Sequence, residues 1–144
     1  MHEPTRLAGY ASVFDVPDAS GDVVRPGAFL RDIGSRSLGG GRVPLLWQHN
    51  AAHPIGTVDH LSEDRRGLRV IASLSDTRVA RDAAALLKTR ALTGLSFGYR
   101  VRASAPGGGH RNLTDLELIE VSLVTFPMQR LARVVAVSPQ EIPV

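Results

Sequence analysis

At 144 residues, with 43% hydrophobic residues, the chain has the length of one domain able to bury about two-thirds of the surface its unfolded form exposes. It has no cysteine, which excludes disulfides and thiolate chemistry. No apolar stretch reaches the roughly 18 residues of a membrane span, and no signal-peptide core opens the sequence. The net charge is +3 and almost wholly arginine, with Lys88 the sole lysine. The arginines are scattered from Arg6 to Arg133 and come with no phosphate loop, zinc-finger spacing or aromatic-basic interleaving, so nucleic-acid binding is not expected.

Residues 6–14 read as a first strand, and 15–22 as a loop of turn formers. Residues 26–33 suit a short helix with Pro26 at its start. A glycine-rich loop is expected from Ser35 to Arg42, a second strand over 43–49, and a turn at 50–54. Residues 55–60 and 67–74 are apolar runs joined by the charged segment 62–66, the pattern of a β-hairpin with a polar tip. Asp76 or Thr77 can cap a helix over 78–91, with Val79, Ala83, Leu86 and Leu87 on one face. Strands follow at 94–103 and 113–126, separated by a loop around Pro106 to Gly109, and Arg133 to Val137 can add a short edge strand. The fold class is α+β, mainly β. A small antiparallel β-barrel of about six to seven strands with one or two helices is expected, forming a single domain over 1–137, and the tail 138–144 is expected to be loosely ordered.

Chemistry concentrates in three places. The first is Gly94-Leu-Ser-Phe-Gly98. A Gly-x-Ser-x-Gly match suggests the strand-to-helix elbow of α/β-hydrolases, but Tyr99 to Ala103 alternates like a strand, and the one later histidine, His110, precedes the best acid. Ser96 would therefore act from within a strand, on the face opposite Leu95, Phe97, Tyr99 and Val101 and away from the core. Gly94 and Gly98 on its own face either clear space for an extended substrate or mark a bulge or barrel corner. The second place is Glu120, set in a run apolar on both sides. A buried carboxylate needs a partner or a proton, unless it escapes to solvent or pairs with arginine, as Glu117 is expected to do. The third is His49, on the strand face of Val43, Leu45 and Trp47, where a histidine most often makes a structural hydrogen bond. His53 does not make a zinc pair with it, because Pro54 denies the helix that such spacing requires. His2, His60 and His110 carry no expected role.

Together these residues supply what each lacks. A serine hydroxyl needs a base to remove its proton, imidazole serves near neutral pH, and a carboxylate on its other nitrogen fixes the tautomer. The expected catalytic set is Ser96, His49 and Glu120, with Gly94 and Gly98 beside the substrate and no cofactor or metal.

Several blocks then meet a known family. Gly9-Tyr-Ala-Ser-Val-Phe14, Gly21-Asp-Val-Val-Arg-Pro-Gly-Ala-Phe29, Leu46-Trp-Gln-His49, Pro54-Ile-Gly-Thr-Val58, Gly67-Leu68, Gly94-Leu-Ser-Phe-Gly-Tyr99 and Glu120-Val-Ser-Leu-Val-Thr-Phe-Pro127 occur in the order seen in the tailed-phage prohead proteases. The chain resembles this family, including its gene-transfer-agent members, from about residue 6 to 135. The resemblance implies a serine endopeptidase with the β-barrel fold of herpesvirus assemblin. It would cleave the scaffolding segment from the major capsid protein, and itself, inside the procapsid assembling in the bacterial cytoplasm. Self-association and concentration-dependent activation fit that role, and no membrane or nucleic-acid partner is implied. In the family the order is His, Ser, then a third member about two dozen residues later, which Glu120 satisfies. This chain has Phe126-Pro-Met-Gln129 where the family commonly has Phe-Pro-Ala-Asn, and many members carry a longer C-terminal tail. The rival readings are a non-catalytic β-barrel assembly protein of the phage particle and an arginine-rich nucleic-acid binder.

Overall fold

A computed structural model describes residues 4–138. The expected tail over 138–144 lies outside them apart from Ser138, as does His2. The elements run β1 (Arg6–Val13), β2 (Asp22–Val24), α1 (Leu30–Ser37), β3 (Pro44–Trp47), β4 (Asn50–Glu63), β5 (Gly67–Leu74), α2 (Arg78–Lys88), β6 (Gly94–Gly107), β7 (His110–Val124) and β8 (Val134–Val137). The fold is mainly β with two helices. Eight strands form one sheet in the order β2-β7-β3-β4-β5-β1-β8, with β6 also paired to β7. This exceeds the six to seven expected. The expected barrel is not borne out, because the ladders do not close into a ring: between β6 and the β8 end, pairing is reduced to one bridge, Gly94 to Arg133, with flanking bonds from Leu95 N–H to Ala132 O and Val134 N–H to Thr93 O.

β7 organises the molecule. It pairs with β6 antiparallel along nearly its whole length and, on its other side, with β2 and β3 in parallel. The parallel pairs correct the expectation of an antiparallel sheet, and β2 lies partly inside the segment expected to be loop. Three residues are too few to show alternation. Asp22 opens β2 opposite Arg111, whose guanidinium takes both its carboxylate oxygens at 3.0 and 2.7 Å and holds the carboxyl below its usual range.

The core collects the alternating apolar residues of the strands, among them Leu7, Leu45, Ile55, Leu68, Leu95, Leu113 and Leu123, all fully buried. Phe29, equally buried, stacks edge-on to Phe97. α1 begins four residues later than Pro26 suggested and continues through Ser37, into the segment read as a loop. Its entry is set from outside the helix: Glu63 on β4 accepts from the N–H groups of Gly27 and Phe29. Arg36 near its end binds Asp32 and the Leu118 carbonyl. α2 follows its expected cap, with Thr77 Oγ1 accepting from Ala80 N–H. It buries Ala80, Ala83 and Leu87, while Leu86 is partly exposed.

The turn after β7 is locked by Gln129, which is buried. Its Oε1 accepts from Val13 N–H at 2.6 Å, and its Nε2 donates to the carbonyls of Val13 and Val16. Replacing Gln129 by Ala strands the Val13 amide. The expected loss is about 2 kcal/mol of unfolding free energy, read as a lower urea midpoint at unchanged slope.

Candidate active site

His49 does not lie on a strand. Gln48 and His49 are the two central residues of the β3–β4 turn, with φ of 52° and 59°, and Trp47 pairs with Asn50 across it. Both therefore take the left-handed conformation of a tight two-residue hairpin, which side-chain-bearing residues adopt at a cost of about 1–2 kcal/mol each. The turn that was expected at 50–54 is instead the start of β4. Such strain persists only where the surroundings over-determine it, and here β7 does so. Gln48 N–H donates to Leu123 O, the Gln48 amide clasps the hydroxyl and N–H of Thr125, and His49 N–H donates to Ser122 Oγ at 3.1 Å.

Glu120 is buried, 7% exposed. It has the partner its setting demands: His49 Nδ1 lies 2.5 Å from Glu120 Oε1. The second oxygen is satisfied by Ser122, whose hydroxyl donates to Oε2 at 2.6 Å. The Glu120 hydrogen bond is the chief cause that holds the His49 imidazole above its usual pKa, with partial burial acting against it. Glu117 pairs with Arg100 and Arg102, as expected.

Ser96 stands opposite Ser122 in the β6–β7 ladder, and Gly98 opposite Glu120. The expectation that Ser96 faces away from the interior is corrected: it is 6% exposed. Its face is occupied by the Glu120–Ser122 network and by the turn after β7 rather than by solvent. Ser96 and His49 line a common cavity of about 110 Å³ together with Ser12, Asp18, Tyr99, Met128 and others. No hydrogen bond joins Ser96 to His49: of the expected set the structure brings His49 and Glu120 into contact, and Ser96 shares only the cavity that His49 lines.

Of the two expected uses of the glycines, the bulge holds at Gly98, where the β6–β7 register shifts before Tyr99. A Cβ on Gly98 would lie 2.7 Å from Glu120 Oε1, and one on Gly94 would lie 2.5 Å from Val124 O and 3.0 Å from the Pro127 ring. Gly98 makes room for the carboxylate, and Gly94 for the neighbouring backbone; the space beside each is filled by the chain itself, not left for a substrate. Gly98→Ala should displace Glu120 from His49 and lower kcat about 10²-fold. Circular dichroism should remain that of the parent, and a peptide-hydrolysis assay gives the rate.

Ser122 was not among the expected site residues, yet its hydroxyl donates to the Glu120 carboxylate and accepts from the His49 N–H. The signal was available, since Ser122 shares the Glu120 face two residues on, inside an apolar run. His53 and His60 lie on β4, and His110 Nδ1–H donates to Gly21 O at 3.1 Å where β7 begins. Among the described residues no group of acidic, histidine or cysteine side chains is arranged to hold a metal, and no helix is long and apolar enough to cross a membrane.

With this geometry in hand, the family model for the caudovirus prohead serine protease matches residues 2–142. The chain belongs to that family. It is 31% identical over 135 residues to the prohead protease of Enterobacteria phage HK97, an alignment covering 89% of this chain and 58% of that protein. It is also 27% identical over 140 residues to the capsid polyprotein of Pseudomonas phage PAJU2, covering 91% of this chain and 20% of the polyprotein. The chain thus spans little more than half of the first relative and a fifth of the second. Among solved structures it resembles the KSHV protease bound to a hexapeptide phosphonate inhibitor, with TM-score 0.58 at 15% identity, over 92% of this chain and 64% of that one. A second KSHV protease structure gives TM-score 0.54 at 14% identity, over 96% and 63%. These likenesses establish the herpesvirus-protease type of fold.

Proposed function

We propose that this prohead-protease family member is a serine endopeptidase that uses Ser96, His49 and Glu120 to cut the scaffolding segment from the major capsid protein, and itself, during procapsid maturation of a phage or gene transfer agent. The observation that carries the reading is the His49–Glu120 pair. With Nδ1 committed to a buried carboxylate, Nε2 is left as the nitrogen able to take a proton, and His49 borders the cavity that holds Ser96.

The substrate enters as an extended strand along the edge of β6 beyond Leu95, where the pairing with Ala132 and Arg133 stops, bonded by its main chain. Ser96 Oγ attacks the scissile carbonyl as His49 Nε2 takes the hydroxyl proton. Glu120 stabilises the imidazolium, and His49 then protonates the departing amine. Water, activated by the same base, releases the acyl group and restores Ser96. Backbone N–H groups beside Ser96, or in the turn from Pro127 to Arg133, supply the oxyanion donors.

Co-expression with a capsid protein that carries its scaffolding segment tests this. Intact-mass measurement should show a shortened capsid protein with the parent chain and the full-length one with Ser96→Ala. Processing that continues at the parent rate with Ser96→Ala would overturn the assignment and favour a non-catalytic assembly role.

A further inference from the structure

The cavity beside Ser96 is walled by aromatic and aliphatic side chains but is not apolar throughout. Phe97 and Tyr99, whose rings lie 4.8 Å apart, form one side. Two polar features in its lining are not used by the chemistry described above. The first is Ser12, 1% exposed, whose Oγ is buried and has no hydrogen-bond partner. A buried hydroxyl without a partner is uncommon and costs free energy until one arrives.

The second is Asp18. Its Oδ1 is fully engaged, accepting from Ser20 N–H, Ser20 Oγ and Asp22 N–H at 2.9, 2.7 and 3.0 Å. Oδ2 accepts no hydrogen bond, and no cation lies within ion-pair distance of the carboxylate among the described residues. The other carboxylate in the lining, Asp22, is neutralised by Arg111. Asp18 and Asp22 are thus two carboxylates beside one cation, Arg111, which pairs with Asp22 and interacts with Asp18 only at longer range. Burial is the first cause of the raised Tyr99 phenol pKa, Asp18 and then Asp22 add to it, and Arg111 opposes it.

The walls are also fixed in advance. Ala19 N–H donates to Met128 O, tying the Asp18 loop to the turn that Gln129 locks against Val13 and Val16. A pocket lined by aromatic residues, with a carboxylate oxygen that accepts no hydrogen bond and an orphaned hydroxyl, is complementary to a long cationic side chain. Its stem packs on the rings, its charge gains from the ring faces, and its several N–H donors can serve both oxygens.

We infer that this cavity is the specificity pocket for the residue whose carbonyl Ser96 attacks, and that it selects lysine or arginine there, with Asp18 as counter-ion and Ser12 Oγ as an acceptor. The inference rests on the peptidase reading above and adds the substrate class to it.

The test uses fluorogenic peptides identical except for lysine, norleucine or glutamate at the residue before the cut. Norleucine keeps the apolar stem of lysine and lacks its ammonium. The expected kcat/KM is at least about tenfold higher for the lysine peptide than for norleucine, since a site built to bond a polar group rejects the analogue without it. Asp18→Asn keeps the Oδ1 acceptor that organises the loop and should lower the lysine-to-norleucine ratio about tenfold. Asp18→Lys should turn the preference toward the glutamate peptide. Equal cleavage of the lysine and norleucine peptides by the parent chain, or a ratio unmoved in both Asp18 variants, would overturn the inference while leaving the peptidase reading standing. A parent chain that cuts no peptide, or Ser96→Ala cutting as fast as the parent, would instead overturn the peptidase reading, and this inference with it.

Discussion

Alanine in place of Ser96 should lower kcat/KM for peptide cleavage at least about 10³-fold, and His49→Ala should cost as much. The reason lies in the division of labour. The hydroxyl of Ser96 is too weakly acidic to attack without a base, and with Nδ1–H donating to Glu120, Nε2 is the one nitrogen of His49 left to accept its proton. Removing either partner therefore disables the same step. The double variant Ser96→Ala with His49→Ala should be scarcely slower than either single one, since members of a unit are not additive. Steady-state kinetics on one peptide checks this. Losses that multiply in the double variant would show that the two residues act separately.

Glu120→Gln should have the second largest effect, with a loss of about 10³-fold at neutral pH. The amide can turn its oxygen to His49, but its NH₂ then faces Ser122. The Ser122 hydroxyl proton, which now goes to Glu120 Oε2, loses its acceptor. The pH dependence gives a second reading of the same contact. His49 must be neutral to act as base, and its pKa is raised chiefly by the Glu120 hydrogen bond. The acid limb of kcat/KM should therefore have its midpoint above the ordinary imidazole value of about 6.5. Glu120→Gln removes the charge and should move that midpoint down. The stability linkage has the opposite sense to the activity. The charged pair contributes fully below the unfolded-state pKa and is lost as pH rises through the raised folded-state value. A midpoint that does not move in Glu120→Gln would mean that the carboxylate does not tune the base.

Much of this architecture is written in local pattern. The strands β5 and β6 and the helix α2 announce themselves by period and cap, and Glu120 by the absence of any neighbour to solvate it. What local pattern cannot carry is pairing. Val43, Leu45 and Trp47 alternate, and extending that alternation to His49 puts it on a strand. The chain turns at Gln48 and His49 only because Leu123, Ser122 and Thr125, more than 70 residues away, hold a turn that neither residue favours. β2 is likewise a strand because β7 lies beside it. Gly98 looked like space left for a ligand, and only the β6–β7 register shows that Glu120 fills it. Gln129, a departure from the family's common turn, is legible as a lock only once its amide is seen spanning Val13 and Val16.

The proposed mechanism makes Ser96 a nucleophile activated by His49. It is tested most directly by treating the protein with a peptidyl phosphonate diphenyl ester and locating the adduct by peptide mass spectrometry. One adduct is expected, on Ser96, formed with loss of phenol, absent in Ser96→Ala and formed far more slowly in His49→Ala. Labelling of a different residue, or of Ser96 at the parent rate without His49, would contradict it.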